Sequence, residues 1–326
     1  MTLGARRLRR LLLLALLGTL SSCGSGGPAS PTPAASPTAA PTPTPAPTLA
    51  PVPAPGPPYD RGPAPSAAAL EADLGPFAVA ALVVTPAAAV GYGGGTVSYP
   101  TNTDEGPFGA VAVCPGYTGV QRSLQWLGPH LASNGFVVIV IDTLSPTNNA
   151  EQRSVQLVAA LNQVITFSAT GGHPLAGRVD GNRLAVVGHS YGGGGALLAA
   201  TNNPSLKAVI PLAPYYESTS FPRLTVPTLV VGCQRDTVAP VSARAIPMYE
   251  SIPSSVSKAY LELAGGDHLC VETGNGNKAV QGKYAVAWMK RFVDEDVRYS
   301  PYLCGAPHEA DLRGDAISAY RENCPY

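Results

Sequence analysis

The segment Gly188-His189-Ser190-Tyr191-Gly192 sets a serine between two glycines, after the apolar run Leu184-Ala185-Val186-Val187 and before a stretch of small residues. A sharp strand-to-helix turn needs small residues on both sides, and it leaves the central hydroxyl exposed at the helix amino terminus. Alone, G-x-S-x-G is a weak signal, because Gly and Ser are common in flexible loops; the strand-turn-helix context is what gives it weight. A serine hydroxyl is a poor nucleophile until a base takes its proton, and the base needs an acid to hold its tautomer. Five histidines are available. His130 falls within a predicted helix, His173 in a Gly-rich connection, His189 on the turn itself and His308 in an irregular tail. His268, in Gly265-Gly266-Asp267-His268, follows a late strand and is the expected base. Asp236, just past the apolar run Thr228 to Gly232, is the expected acid and gives the chain order Ser, Asp, His. Asp142 precedes the serine and reads as structural, and Asp267 adjoins the base too closely to reach its far nitrogen. Such a set would carry out acyl transfer through a covalent intermediate.

Acyl transfer also needs donors where charge builds on the carbonyl oxygen. The backbone N–H of Tyr191 is one candidate. The backbone N–H of Tyr117, in Pro115-Gly116-Tyr117-Thr118 after another apolar run, is the second, although that stretch by itself reads equally as a Pro-Gly turn. Tyr117, Tyr191 and Tyr215 would offer aromatic faces to a substrate, or simply pack.

The elements that must position these groups are short apolar runs alternating with longer amphipathic stretches, the pattern of a mostly parallel sheet flanked by helices. Strands are predicted at Val79 to Thr85, Gly95 to Tyr99, Ala110 to Cys114, Phe136 to Asp142, Arg183 to Gly188, Ala208 to Leu212, Thr228 to Gly232 and Ala259 to Leu263. Helices are predicted at Ser123 to Ser133, Glu151 to Phe167, Tyr191 to Thr201, Ser242 to Ser251 and Lys278 to Phe292. Only about fifteen residues separate Leu212 from Thr228, too few for a helical lid.

Of 326 residues, 45% are hydrophobic and 13% charged, and Lys+Arg balances Asp+Glu at 21 each. No net field exists to gather nucleic acid or an anionic surface. Arg6, Arg7, Arg9 and Arg10 followed by the apolar run Leu11 to Leu17 read as an export signal, too short to span a bilayer. Leu20-Ser21-Ser22-Cys23 resembles a bacterial lipobox, so residues 1–22 are expected to be a lipoprotein signal peptide and Cys23 the lipidated residue. Residues 24–58 contain thirteen prolines amid Ala, Thr, Ser and Gly, a linker that polyproline geometry would extend to about 110 Å. Residues 59–326 form the expected catalytic domain.

Six cysteines include Cys23. Four cysteines permit three connectivities. Cys233 lies just before Asp236 and Cys270 just after His268, so a bond between them would staple the acid and base loops. We pair these two and pair Cys304 with Cys324, and Cys114, inside an apolar strand, reads as a buried free thiol. No C-x-x-C or H-E-x-x-H spacing appears and the Gly192 to Gly195 run lacks a following Lys-Ser/Thr, so no metal or cofactor is expected.

Several segments resemble the bacterial cutinase and poly(ethylene terephthalate) hydrolase family: Tyr59-Asp60-Arg61-Gly62-Pro63, Gly95-Thr96-Val97 with Tyr99-Pro100, Pro115-Gly116-Tyr117-Thr118, Gly188 to Gly194, Asn203-Pro204-Ser205-Leu206-Lys207, and Ala285 to Phe292. The resemblance covers nearly all of residues 59–326. It implies an α/β-hydrolase fold with a mostly parallel central sheet, flanking helices and no lid domain. It implies Ser190, Asp236 and His268 as the catalytic triad and Tyr117 and Tyr191 as oxyanion donors. It further implies substrate contacts at Tyr117, Tyr191, Tyr215, His189, Val238 and Leu269, an active-site disulfide near acid and base, and a carboxyl-terminal bridge. Tyr191 stands where Met is usual, Tyr215 where many members carry Trp, and Leu269 where Phe or Ser is usual. The expected activity is hydrolysis of polyester or cutin-like esters, including poly(ethylene terephthalate), by a monomer exported to the cell surface or outer membrane, or secreted. A general lipase or short-chain carboxylesterase would use the same residues. A non-catalytic surface-binding lipoprotein would not need an intact triad.

Overall fold

The computed structural model describes residues 59–275 and 278–326. The expected signal peptide, Cys23 and the linker lie outside the described residues. Among the described residues nine strands form one sheet: β1 (Val79–Val84), β2 (Gly95–Pro100), β3 (Phe108–Cys114), β4 (Phe136–Ile141), β5 (Val179–His189), β6 (Ala208–Leu212), β7 (Thr228–Cys233), β8 (Lys258–Leu263) and β9 (Ile317–Glu322). Their order is β1-β2-β4-β3-β5-β6-β7-β8-β9. The six strands from β4 to β8 in that order run parallel, while β1 pairs antiparallel with β2, β2 with β4, and β9 with β8.

Helices cover both faces, which is why the central strands read as unbroken apolar runs rather than alternating ones. Every residue of β3, β4, β6, β7 and β8 is buried. The period of two then divides them between two cores. Ala110, Ala112, Val137, Ile139 and Val186 face α3 (Ala150–Ala169), α4 (Tyr191–Asn202) and α5 (Ala245–Ser251). Val111, Val113, Val138, Val140 and Val187 face α1 (Ala67–Glu71), α2 (Leu127–Ala132), α6 (Lys278–Phe292) and α7 (Pro301–Cys304). The long α3 starts from a reciprocal cap, in which Asn149 Oδ1 accepts from Gln152 N–H and Gln152 Oε1 accepts from Asn149 N–H.

All eight predicted strands are present, and residues 213–227 contain no helix or strand, as expected for a fold without a lid domain. Two helices begin later than predicted. The stretch from Ser123 splits into a 3-10 turn at Gln121–Ser123 and α2 from Leu127, and α5 starts at Ala245 rather than Ser242. Pro129 and Pro247 explain both: each is the third residue of its helix, inside the first turn, where a missing N–H leaves no intrahelical bond unmade. The tail is not irregular. It contains α7, α8 (Ala306–Leu312) and β9, and His308 is buried on α8 with Nδ1 2.6 Å from Tyr284 Oη.

Cys233 is bonded to Cys270 and Cys304 to Cys324, and Cys114 is a buried free thiol. The second bridge closes a loop of sequence separation 20 and ties α7 to the chain after β9. By the chain-entropy model such a loop is worth about 3 kcal/mol. A Cys304→Ser/Cys324→Ser variant is therefore expected to melt roughly 6–12 °C lower by calorimetry. An unchanged midpoint would show that the bridge contributes nothing.

Candidate active site

Ser190 joins β5 directly to α4, at φ 53° and ψ −119°. A non-glycine residue in that region carries about 1–3 kcal/mol of strain and persists only where its surroundings over-determine it. Here the Ser190 N–H donates to Leu212 O at 2.9 Å, and its carbonyl accepts from the N–H of Gly194 at 3.0 Å and of Tyr215 at 2.9 Å. The flanking glycines are needed for close approach. A Cβ on Gly188 would overlap the carbonyl of Gly192, and one on Gly192 would overlap the carbonyls of Cys114 and Pro115. Gly194 and Gly195 let α4 lie against Tyr215, Tyr216, Ala150 and Arg153. Four glycines are poor helix formers, and packing on three sides holds them in α4.

His268 and Asp236 converge on this turn from loops after β8 and β7. His268 Nε2 lies 3.0 Å from Ser190 Oγ, and His268 Nδ1 lies 2.7 Å from Asp236 Oδ2. The other carboxylate oxygen, Oδ1, accepts from the N–H of Val238 at 2.8 Å and of Ala239 at 2.7 Å. A carboxylate only accepts, so it fixes the Nδ1–H tautomer and leaves the Nε2 lone pair facing the serine. Burial works against ionising Asp236, but the hydrogen bonds from His268, Ala239 and Val238, with the nearby imidazole charge, outweigh it and hold its pKa below the ordinary carboxylate value. The two loops are stitched to each other. The Arg235 N–H donates to Gly266 O at 2.7 Å, the Gln234 N–H to Leu263 O at 3.0 Å, and Cys233–Cys270 links them covalently.

The loop after β3 presses on the serine: a Cβ on Gly116 would stand 3.0 Å from Ser190 Cβ. The Thr118 N–H turns away to Pro146 O at 2.7 Å. Among the described residues the N–H groups of Tyr117 and Tyr191 have no hydrogen-bond acceptor, so both remain available as donors. The side chains of Tyr117, Val238 and Leu269 are 53%, 58% and 48% exposed and form an apolar rim. Tyr191 and Tyr215 are half-buried, with ring centroids 5.8 Å apart for Tyr117–Tyr191 and 5.0 Å for Tyr191–Tyr215. A cavity of about 620 Å³ beside Phe77, Ala80 and Trp126 is lined by none of Ser190, Asp236 and His268.

His189 corrects the expectation of a substrate contact. It is 2% exposed and points beneath the rim, with Nε2 2.9 Å from the His268 carbonyl oxygen and Nδ1 3.2 Å from Glu272 Oε1. Two neighbours were not expected. Arg244 stacks its guanidinium 4.6 Å from the Tyr215 ring centroid and donates to Tyr216 O at 2.8 Å. Glu272 lies in the base loop, where an acid among Gly and Asn reads as an ordinary turn. Only the tertiary meeting with His189 marks it. His130, His173 and His308 take no part in the site.

A serine on a strained turn, backed by histidine and aspartate at the carboxyl edge of a helix-covered parallel sheet, defines the α/β-hydrolase class. The PET hydrolase-like family model matches residues 54–325. Cutinase 1 of Thermobifida cellulosilytica is 48% identical over 266 residues, covering 82% of this chain and 98% of the relative. The cutinase of Thermobifida fusca is 47% identical over 266 residues, covering 82% and 85%. The bis(hydroxyethyl) terephthalate hydrolase of Streptomyces coelicolor is 46% identical over 266 residues, covering 82% of each. The chain belongs to the PET hydrolase-like family.

The lowered pKa of Asp236 has a consequence for stability. A carboxyl depressed in the folded state contributes stability that is present above its unfolded value, about 3.9, and is lost as pH falls through the folded value. Asp236→Asn is therefore expected to melt below the parent protein at pH 7, with the gap narrowing as pH falls below about 4. A gap independent of pH would contradict the geometry's hold on this carboxylate.

Proposed function

We propose that this chain hydrolyses carboxylic esters through an acyl-enzyme on Ser190. The observation that carries the reading is the unbroken series Ser190 Oγ to His268 Nε2 at 3.0 Å and His268 Nδ1 to Asp236 Oδ2 at 2.7 Å. His268 Nε2 takes the hydroxyl proton as Oγ attacks the ester carbonyl carbon, and Asp236 holds the imidazolium that forms. The tetrahedral oxyanion is met by the N–H groups of Tyr117 and Tyr191, each worth about 10²–10³ in rate. Collapse breaks the ester C–O bond, and the leaving alcohol receives the proton from His268. Water then attacks the acyl-enzyme with the same base, releasing the acid and restoring Ser190.

The substrate class follows from the rim. With no lid over residues 213–227, a chain that cannot enter a closed pocket can lie across Tyr117, Val238 and Leu269 and present one ester to Ser190. Relatives named as cutinases and as a bis(hydroxyethyl) terephthalate hydrolase support polyester or cutin-like esters. Residues 1–22 act as an export signal, Cys23 carries the lipid, and the Pro-rich linker to residue 58 holds the catalytic domain, from residue 59 on, at the cell surface as a monomer. The support for this is the basic and apolar amino terminus that ends at a cysteine.

Initial rates on a polyester film and on a soluble butyrate ester are expected to show turnover of both. Ser190→Ala should lose at least about 10⁴-fold on each. Turnover of the butyrate ester alone favours the short-chain carboxylesterase reading, and an active Ser190→Ala overturns the mechanism. Cys23→Ala, expressed from the full chain in a bacterium, is expected to leave the membrane fraction. Its retention there would contradict lipid attachment at this residue.

A further inference from the structure

The catalytic steps leave two ionisable side chains beside the base without a role. His189 is wedged between the loop after β3 and the loop carrying His268. On one side a Cβ on Gly116 would stand 3.2 Å from His189 Nδ1. On the other, the His189 and His268 rings lie 4.8 Å apart at 43°. Its Nε2 is 2.9 Å from the carbonyl oxygen of His268, so Nε2–H donates to the backbone of the base itself. Its Nδ1 is 3.2 Å from Glu272 Oε1. Nδ1 thus lies within ion-pair distance of the Glu272 carboxylate, in a geometry that makes no hydrogen bond. The neighbouring His189 ring, outweighing burial, holds the Glu272 carboxyl below the ordinary carboxylate range. That carboxyl is only partly exposed, 21%.

The geometry of the base loop makes this contact matter. Gly265 and Gly274, both at positive φ, bracket the segment that carries His268. Its other ties meet neighbouring residues: the Arg235 N–H to Gly266 O at 2.7 Å, Cys270 to Cys233, the Trp126 Nε1–H to Val271 O at 3.1 Å and the Thr273 N–H to Ser123 O at 2.7 Å. The bond from His189 holds the His268 carbonyl itself, and it comes from the residue next to Ser190 in the chain. Nucleophile and base are thus referenced to one rigid strand end, not only to each other.

Resting on the reading of Ser190 as nucleophile and His268 as base, we propose that His189 and Glu272 are a positioning pair for that base. Glu272 holds the His189 ring, and the ring fixes the His268 backbone so that Nε2 stays within reach of Ser190 Oγ. A misplacement of about 1 Å at a reacting group can lower a rate by about 10², so a partial loosening should register in kcat rather than in substrate binding.

The test uses the Glu272 carboxylate, which can be changed without disturbing the buried elbow. On a soluble butyrate ester, Glu272→Ala is expected to lower kcat about tenfold with KM within about twofold. It should slow phosphonate labelling of Ser190 by a similar factor. Glu272→Gln is expected to regain most of both rates, because its amide has the carboxylate's shape and can donate to or accept from Nδ1, keeping the ring in place. A purely structural role would lower the melting temperature without this recovery by the isostere. Parent rates in Glu272→Ala, a loss confined to KM, or a Gln variant as slow as the Ala variant would each overturn the pairing. If the parent protein itself is not labelled while Ser190 is accessible, the reading of the site fails, and the positioning pair fails with it. Normal labelling of both parent and Glu272→Ala removes the pair alone.

Discussion

The backbone of Ser190 is held in a conformation that residues with a side chain avoid, and three hydrogen bonds keep it there. One runs to the end of β6, one to the first turn of α4 and one to Tyr215. These fix the hydroxyl above the carboxyl edge of the sheet and set the N–H of Tyr191 free at the helix start. The surrounding sequence answers to that constraint. Glycines at 188 and 192 remove atoms that would collide with neighbouring carbonyls, and the loop after β3 closes against the serine through Gly116. Local strain of this kind is tolerated because buried parallel strands on both sides are rigid supports.

His268 and Asp236, the proposed base and acid, lack such rigid mounting, since both sit on loops. Their positions come from cross-links between the loops: the Cys233–Cys270 bridge, the backbone bonds from Gln234 and Arg235, and the contact from His189. Asp236 is buried, yet three donors make its ionised form the favoured one. An acceptor-only carboxylate then selects the histidine tautomer that leaves Nε2 facing the serine. Openness is the other side of the same design. The rim of Tyr117, Val238 and Leu269 exposes apolar surface beside a buried polar triad, an arrangement suited to substrates that approach as surfaces or chains.

Much of this could be read along the chain because the relevant signals are local or ordered. Fully buried strands appear as apolar runs, so β3, β4, β6, β7 and β8 were recognisable, the β-branched and small residues of β1, β2 and β5 marked those partly buried strands, and G-x-S-x-G followed by Asp236 and His268 keeps its order. The cysteines next to the acid and base pointed to their partner by position. What stayed hidden depends on packing. β9 is an edge strand with half its residues polar, Ile317–Glu322, and α7 and α8 are short pieces punctuated by Pro301, Gly305 and Pro307. Pro129 and Pro247 sit inside helices where the pattern alone cannot say on which turn. The family resemblance made His189 a substrate contact, whereas its ring is buried against the His268 carbonyl and Glu272. Glu272 and Arg244 acquire meaning only from His189 and Tyr215, far away in sequence.

The central claim is that the strained turn makes one hydroxyl, Ser190 Oγ, the nucleophile. Peptide mapping by mass spectrometry after complete inactivation with an aryl phosphonate tests it most directly. One adduct per chain on the peptide carrying Ser190, appearing in step with loss of ester hydrolysis, is the predicted result. Full inactivation with the adduct on another residue, or undiminished hydrolysis by chains modified at Ser190, would contradict it.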